Sequence, residues 1–579
     1  MSSSLPPDIE KRVSYWLNGP FDEKTKEEVR LLQKDPQTLI DAFFCDLSFG
    51  TGGMRGLMGV GTNRLNNYTI RLATQGLANY LKKQPQKKHL SVVIGFDSRH
   101  HSEEFAREAA HVLAGNGIHV YLLSALRPTP YISFACRFKK ASAAIMITAS
   151  HNPKEYNGYK VYWSDGAQVV HPHDEGIVKE VESLKSLDEV KLGTSIETVA
   201  VEPLDQEYLK AIAPLQHFKQ ESHAQGNSLQ IVYTSLHGTG ITMIPQALKE
   251  WGFSTIHFVD NQITLDGDFP TVQFPNPEYP ETLKLGIEKM RATGSDILLA
   301  SDPDADRLGV VVKHQGKPTL INGNELAAIC VDYLGSILKL DQKKAFVTTI
   351  VTTELLKKIA HSYGATLIEV LTGFKYIGEK IHLWETSKEG YQFIFGAEES
   401  YGYLLGTHAR DKDAIVTSCL IAEMALHAKL KGITLIDCLH QIYKKHGIYR
   451  ESQASLNFKP GQEGMEQMAA VMDKLRSHPP EAIGGKAVIY YEDYEKQKRI
   501  YIKDKREELL ELPVSDVLLF RLEDDSRLVI RPSGTEPKVK IYGSVSIKIV
   551  DTMESGIALC DAKLNNLMQA LKKETGCTN

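Results

Sequence analysis

At 579 residues the chain exceeds what one hydrophobic core organises and predicts three to four domains, at roughly 150 residues each. Its 42% hydrophobic and 24% charged residues exclude a disordered chain. The net charge of −5 offers no basic surface, so no nucleic-acid and no membrane partner is expected, and an anionic substrate must be held by local arginines and backbone amides.

The seven cysteines are scattered, never spaced Cys-x-x-Cys, which excludes a disulfide framework or zinc site and suits a reducing compartment. No run approaches the ~18 apolar residues of a membrane span. The N-terminus, Met1-Ser2-Ser3-Ser4-Leu5-Pro6-Pro7, carries no secretory leader pattern. A cytoplasmic location is the expectation.

In chain order, residues 8–45 read as helical, with Trp16, Leu17, Val29, Leu31 and Leu32 at the apolar positions. Gly50-Thr51-Gly52-Gly53-Met54-Arg55-Gly56 follows as a glycine-rich loop. It is not a dinucleotide fingerprint, because Arg55 stands where the third glycine belongs, nor a P-loop, because no Gly-Lys-Ser/Thr ends it. A glycine-flanked arginine can lie against a phosphate; the plainer reading is a flexible turn with a surface arginine. Strand and helix then alternate: strand 90–95, helix 102–114, strand 119–123, and the short buried strand Ala143-Ala144-Ile145-Met146-Ile147. A polar helix and connecting chain fill 177–225. A second α/β unit starts near Leu229, with strands 229–233, 255–259 and 296–300 and helices 240–251 and 281–293. A third starts at Asn322, with helix to about 338, strand 345–350, helix 353–363 and strands 366–370 and 393–395. From about 455 the pattern changes to helix 462–477, short strands at 486–490, 517–522, 527–530 and 538–542, and an amphipathic helix 551–573. That is an α+β domain with an antiparallel sheet. The charged run 496–511 reads as a solvated insertion. The expected domains are 1–215, 216–322, 323–454 and 455–579.

Four loops that follow strands carry chemistry. Thr148-Ala149-Ser150-His151-Asn152-Pro153 ends the strand 143–147. Asn152-Pro153 breaks pairing and leaves Ser150 on a tight loop at the C-terminal strand end, where open α/β sheets bind ligands. Ser150 is read as a phosphoryl carrier; a polar turn is the plain alternative. Asn157-Gly158-Tyr159-Lys160 keeps Lys160 near it. Ser301-Asp302-Pro303-Asp304-Ala305-Asp306-Arg307 follows the strand 296–300. Carboxylates at i, i+2 and i+4 diverge on a helix but converge on a looped backbone, and hard oxygen ligands suit Mg²⁺ completed by a phosphate oxygen. An EF-hand fails, because Arg307 replaces its glycine and Lys313 its last glutamate. Gly396-Ala397-Glu398-Glu399-Ser400 offers carboxylates and a hydroxyl suited to sugar hydroxyls. Arg410-Asp411-Lys412-Asp413 comes soon after and reads as a surface ion pair when taken alone. Arg531-Pro532-Ser533-Gly534-Thr535 combines a guanidinium fork, hydroxyls and backbone amides into a phosphate cradle.

Together these motifs resemble the α-D-phosphohexomutases of the phosphoglucomutase/phosphomannomutase family, in family order along almost the whole chain; Thr372-Gly373-Phe374-Lys375 adds to the match. The resemblance implies three α/β domains with mixed sheets plus a C-terminal α+β domain, with the active site in a central cleft. It implies a phosphoserine at Ser150, Mg²⁺ on Ser150, Asp302, Asp304 and Asp306, and a sugar phosphate as the small-molecule partner. Glucose 1,6-bisphosphate is the implied intermediate and activator. Arg55, Arg307, Gly373, Lys375, Glu398, Ser400, Arg531, Ser533, Gly534 and Thr535 become expected substrate contacts. Lys412, His151 and Lys160 become the proton-transfer candidates. A monomer or weak homodimer is expected. Glu399 and Gly402 stand where dual-specificity bacterial members have methionine and histidine, which leans toward glucose. Asn157 to Trp163 resembles members acting on pentose phosphates, so mannose and pentose phosphates stay open as substrates.

A Mg²⁺ phosphatase and a non-catalytic sugar-phosphate sensor are the competing classes. A nucleophile elbow fails, because Thr148 and Asn152 stand where G-x-S-x-G needs glycines. Ser150, the aspartate triplet and Lys412 together disfavour a sensor.

Overall fold

The structure, a computed structural model, describes residues 5–50, 52–84, 89–459, 462–533, 538–548 and 551–576. The chain divides into two compact units. The first is Met1–Asn322 with Phe374–Gly396 and Ser400–Gly432; the second is Gly323–Gly373 with Ala397–Glu399 and Ile433–Asn579.

The first unit begins with three helices, Pro7–Asn18, Glu23–Leu32 and Pro36–Phe43. Asp22 and Asp35 cap the second and third by accepting the amides of Thr25 and Thr38, which satisfies donors a helix start leaves open. Their core is aromatic: Trp16 stacks on Phe21 at 4.4 Å between ring centroids, and Phe43 and Tyr68 meet Trp16 edge-on. Leu31, expected on the apolar face, is exposed.

The first sheet contains β1 (Gly53–Leu57), β2 (Ser91–Phe96), β3 (His119–Leu123), β4 (Ala143–Ile147), β5 (Tyr156–Trp163) and β6 (Glu197–Val199) in the order β1-β5-β4-β2-β3-β6. Its centre is parallel: β2 pairs with both β3 and β4. The edge β4-β5-β1 is antiparallel. Every residue of β4 is buried, which is why its sequence shows no polar alternation. The glycine-rich stretch expected as a loop is thus half edge strand. Gly53 has φ +137°, and a Cβ there would fall 1.8 Å from the Tyr159 carbonyl oxygen. Only glycine lets β1 approach β5 so closely.

The second sheet contains β7 (Ile231–Thr234), β8 (Ile256–Phe258), β9 (Ile297–Ser301), β10 (Leu308–His314) and β11 (Lys317–Ile321) in the order β11-β10-β9-β7-β8. The tight β9-to-β10 connection holds the aspartate triplet. A third sheet, order β13-β12-β14-β15, contains β12 (Lys344–Thr349), β13 (Thr366–Val370), β14 (Gln392–Glu398) and β15 (Gly402–Leu405).

The eight-stranded C-terminal sheet contains β16 (Ile448–Asn457), β17 (Ala482–Ile483), β18 (Lys486–Asp493), β19 (Lys498–Tyr501), β20 (Glu507–Leu509), β21 (Leu518–Leu522), β22 (Arg527–Pro532) and β23 (Lys538–Ile547). It is antiparallel throughout and is covered by the helix Met553–Glu574, which buries Cys560, Leu564, Leu567, Met568 and Leu571. The charged run 496–511, expected as a solvated insertion, has no buried residue and adds β19 and β20 to the sheet edge. Among the described residues no helix is long and apolar enough to cross a membrane.

Candidate active site

Ser150 follows β4 by three residues and takes a left-handed backbone, φ +53°. A non-glycine residue adopts that shape only when its surroundings fix it. Here Thr148 Oγ1 accepts the Ser150 amide at 2.8 Å. Ser150 is buried, and its Oγ donates to Asp302 Oδ2 at 2.9 Å and lies 3.1 Å from His151 Nδ1.

The aspartate loop is tied from three sides. Asp302 Oδ1 accepts the amides of Asp306 at 3.1 Å and Arg307 at 3.0 Å. Pro303 lies so close to Gly238 that a Cβ there would come 2.2 Å from its Cα. Thr129 donates its amide to the Asp304 carbonyl at 2.8 Å and its hydroxyl to Asp304 Oδ2 at 2.7 Å. One oxygen from each of Asp302, Asp304 and Asp306 lies within 4.8 Å of the others, the one such group among the described residues. The expected convergence of i, i+2 and i+4 carboxylates is met by a loop in which Ala305 has φ +51°.

Two lysines face these carboxylates. Lys160, projecting from β5, donates to Asp304 Oδ2 at 2.8 Å and Asp306 Oδ2 at 3.3 Å. Lys412 Nζ lies 3.2 Å from Asp306 Oδ2 and 3.0 Å from Asp411 Oδ1. Asp411 also accepts the Tyr162 hydroxyl at 2.8 Å. Lys412 is therefore a buried site cation, not a surface ion pair. Burial and the neighbouring charges of Asp304 and Asp306 push the Asp302 carboxyl well above its ordinary range. Burial would raise Asp304 too, but Lys160 and the Thr129 hydroxyl hold it low. Burial opposes the charge on Lys160, yet Asp304 and Asp306 outweigh it and keep the ammonium protonated.

These residues fit a hard divalent cation. The donors are carboxylate oxygens, and Asp304 Oδ1 and Asp306 Oδ1 are buried without a hydrogen bond, leaving lone pairs for an ion.

The other expected residues are placed as follows. Arg55, on β1, donates to Asn152 Oδ1 at 3.1 Å and so reaches the serine loop. Arg307 Nη1 pairs with Glu278 and donates to the Ser400 carbonyl at 3.1 Å. Lys375 Nζ lies 3.6 Å from Asp174. In the second unit, Glu398 Oε1 accepts the Gly373 amide at 2.9 Å, while Glu399 is held by Thr349 and Thr352 hydroxyls at 3.2 Å each. Arg531 donates to the Thr372 hydroxyl, and the Ser533 amide donates to the Lys538 carbonyl at 2.8 Å. Gly534 and Thr535 lie outside the described residues.

Asp97, Arg99, Thr129, Tyr162 and Glu278 also contact this group of residues and are not among those expected from the sequence. The first two had a usable signal, since Asp97-Ser98-Arg99 follows the apolar β2 just as the recognised motifs follow theirs. Thr129 and Tyr162 had none.

Models of the phosphoglucomutase/phosphomannomutase alpha/beta/alpha domains I, II and III match residues 46–188, 206–316 and 322–446. A phosphoglucomutase of Staphylococcus haemolyticus is 39% identical over 512 residues, covering 87% of this chain and 91% of its own. One of Staphylococcus aureus is 36% identical over 523 residues, covering 89% and 93%. Among solved structures, parafusin from Paramecium, titled a phosphoglucomutase, superposes with a TM-score of 0.68 at 18% identity, covering 92% of this chain and 96% of that one. A phosphoglucomutase/phosphomannomutase family protein from Burkholderia thailandensis gives 0.64 at 19%, covering 92% and 98%.

Proposed function

This chain belongs to the phosphoglucomutase/phosphomannomutase family, and from that we infer that it is a phosphoglucomutase, an isomerase interconverting α-D-glucose 1-phosphate and glucose 6-phosphate. The observation that carries the reading is the buried Ser150 hydroxyl, 2.9 Å from Asp302 in a carboxylate triplet that Lys160 and Lys412 also reach. Ser150 is the phosphoryl carrier. A free hydroxyl of the sugar monophosphate takes the phosphoryl group: the Ser150 Oγ–P bond breaks, a sugar O–P bond forms, and the hydroxyl proton leaves. The product is glucose 1,6-bisphosphate, which also serves as activator. Its other phosphoryl group returns to Ser150 in the reverse sense, so that the phosphate has changed position and no water is consumed.

The residues that would hold Mg²⁺ are Asp302, Asp304, Asp306 and phosphorylated Ser150; when bound, the ion neutralises charge building on the transferring phosphoryl oxygens. Lys160, fixed between two carboxylates, keeps its positive charge beside that group. Lys412 and His151 are the candidates to take that proton, while Lys160, held as an ammonium, can give a proton but not accept one. Arg55 and Arg307 supply cations for substrate phosphate. Glu398 and Ser400 are assigned to sugar hydroxyls by motif, and Gly373 and Lys375 to the substrate by motif. Arg531 and Ser533, with Gly534 and Thr535 by motif, are assigned to the phosphate that is not reacting.

The test is a side-by-side kcat/KM comparison of glucose, mannose, glucosamine and ribose phosphates, each with glucose 1,6-bisphosphate, with inorganic phosphate monitored. Glucose phosphate should lead by at least about tenfold, which corresponds to 1.4 kcal/mol in the transition state. A ribose phosphate leading the series would move the assignment to the pentose reading favoured by Asn157 to Trp163. Stoichiometric release of inorganic phosphate would replace the mutase with a phosphatase.

A further inference from the structure

We propose that Arg99 is a positioning residue for phosphoryl transfer, holding the Ser150 loop in its left-handed shape from behind by gathering the loop's backbone carbonyls onto one guanidinium. The proposal rests on the reading of Ser150 as the phosphoryl carrier.

Arg99 stands three residues beyond β2, the neighbour of β4 in the sheet, and its side chain is fully buried. Nη2 donates to the Ser150 carbonyl at 2.7 Å and to that of Asn152. Nη1 donates to the carbonyls of Pro153 at 2.8 Å and Tyr156 at 3.0 Å. Two nitrogens thus bind four carbonyls across the whole turn between β4 and β5. A fork of fixed donors can do this, whereas a lysine ammonium is a single point.

The guanidinium is itself held. Asp97 Oδ2 lies 3.5 Å from Nε, and Asp97 Oδ1 accepts the Arg99 amide at 2.9 Å and the Ser102 hydroxyl at 2.6 Å. Its carbon lies 4.9 Å from the Phe269 ring centroid. Asn157 donates to Ser102 Oγ at 2.8 Å, closing the network onto β5. Burial lowers the Arg99 pKa to about 10, with Asp97 opposing that shift, so the side chain stays charged at neutral pH.

Ser150 is where this matters. Its carbonyl points back to Arg99 while its hydroxyl points to Asp302, so the guanidinium sets the peptide orientation that aims Oγ. Arg99 touches no reacting atom. A misplacement of about 1 Å in a reacting group can cost about 100-fold in rate, and a loop released from four bonds has that freedom.

The experiment uses the full chain with Mg²⁺ and glucose 1,6-bisphosphate. Peptide mapping by mass first establishes that wild-type Ser150 takes a phosphoryl group; a protein phosphorylated elsewhere or nowhere overturns the carrier reading and this proposal with it. Given that result, Arg99→Lys is compared with Asp97→Asn/Arg99→Gln, which leaves no unpaired charge behind. We expect kcat to fall about 100-fold in both, the KM for glucose 1-phosphate to stay within about threefold, and the ³¹P resonance of the phosphoserine to shift or broaden in folded protein. A folded variant that keeps kcat within about twofold and the wild-type ³¹P resonance overturns the proposal alone. So does a KM that rises while kcat holds.

Discussion

Ser150 offers the sharpest tests because its chemistry and its backbone make separate demands. Ser150→Ala should abolish turnover while glucose 1-phosphate binding, measured by calorimetry, stays within about threefold, since the contacts proposed for the sugar phosphate do not use the hydroxyl. Ser150→Thr keeps a hydroxyl but adds a branch at Cβ, and a β-branched residue at φ +53° is a genuine outlier. The threonine protein should fall at least about 100-fold in kcat, the cost of a misplaced nucleophile; near-native turnover would mean the loop is not held in that conformation. Asp304→Asn removes one hard ligand and leaves Lys160 with Asp306 as its carboxylate partner. Its activity should need much more Mg²⁺, and an unaltered Mg²⁺ titration would contradict the metal assignment. The triplet itself was legible in the sequence, because its spacing and its place after an apolar strand are local properties. The partners Thr129, Lys160 and Lys412 were legible only as candidates or not at all, because what brings them together is the sheet, not the spacing.

At the scale of elements, β1 is a strand where a turn was the plainer reading, and it brings Arg55 to the serine loop. Gly53 to Leu57 looked like a loop because strands rarely contain two glycines, yet the glycines are what allow β1 to lie against β5. Gly53→Ala should destabilise the first unit by on the order of 1–3 kcal/mol, the usual cost of forcing a strained or overpacked site, and should lower activity through loss of the Arg55 placement; denaturant unfolding and kcat/KM measure the two. Strand β16 carries a second element-scale prediction. Burial raises the Glu451 carboxyl to about 7, with Glu325 adding to the shift and Thr353 and Arg450 opposing it. Since the folded form holds this proton more tightly than the unfolded one, stability should fall as pH rises from the ordinary carboxylate range toward 7 and then level off. Glu451→Gln should flatten that slope, as followed by melting temperature against pH. The helices Ala414–Leu430 and Phe374–Thr386 escaped the sequence reading for the opposite reason to β1. The first is apolar on nearly every face and buried, so it lacks the one-sided period by which surface helices are recognised.

At the scale of the molecule, the alternation of strand and helix and the change to an antiparallel sheet near the C-terminus were readable, because they follow from period and from turn residues. The two compact units were not, because each is assembled from separated stretches of chain, and composition carries no trace of such interleaving. Mg²⁺ gives the whole-chain prediction. An ion that binds only the folded aspartate loop should add about 2.7 kcal/mol at a hundredfold excess over its Kd, raising the melting temperature. Asp304→Asn should lose most of that gain, and equal gains in both proteins would place the ion elsewhere.

The interleaving has a consequence for biosynthesis. The first unit takes its last segment from Ser400–Gly432, and that segment brings Lys412 to Asp306. During translation at about 5–20 residues per second, the nascent chain therefore waits on the order of 20–90 s before the ribosome has delivered everything this unit needs. For the last part of that interval, about 6–25 s between Arg307 and Gly432, the acidic turn and its serine are synthesised but incomplete, so a premature stop anywhere before Gly432 yields not a shorter enzyme but a client for chaperones and proteases.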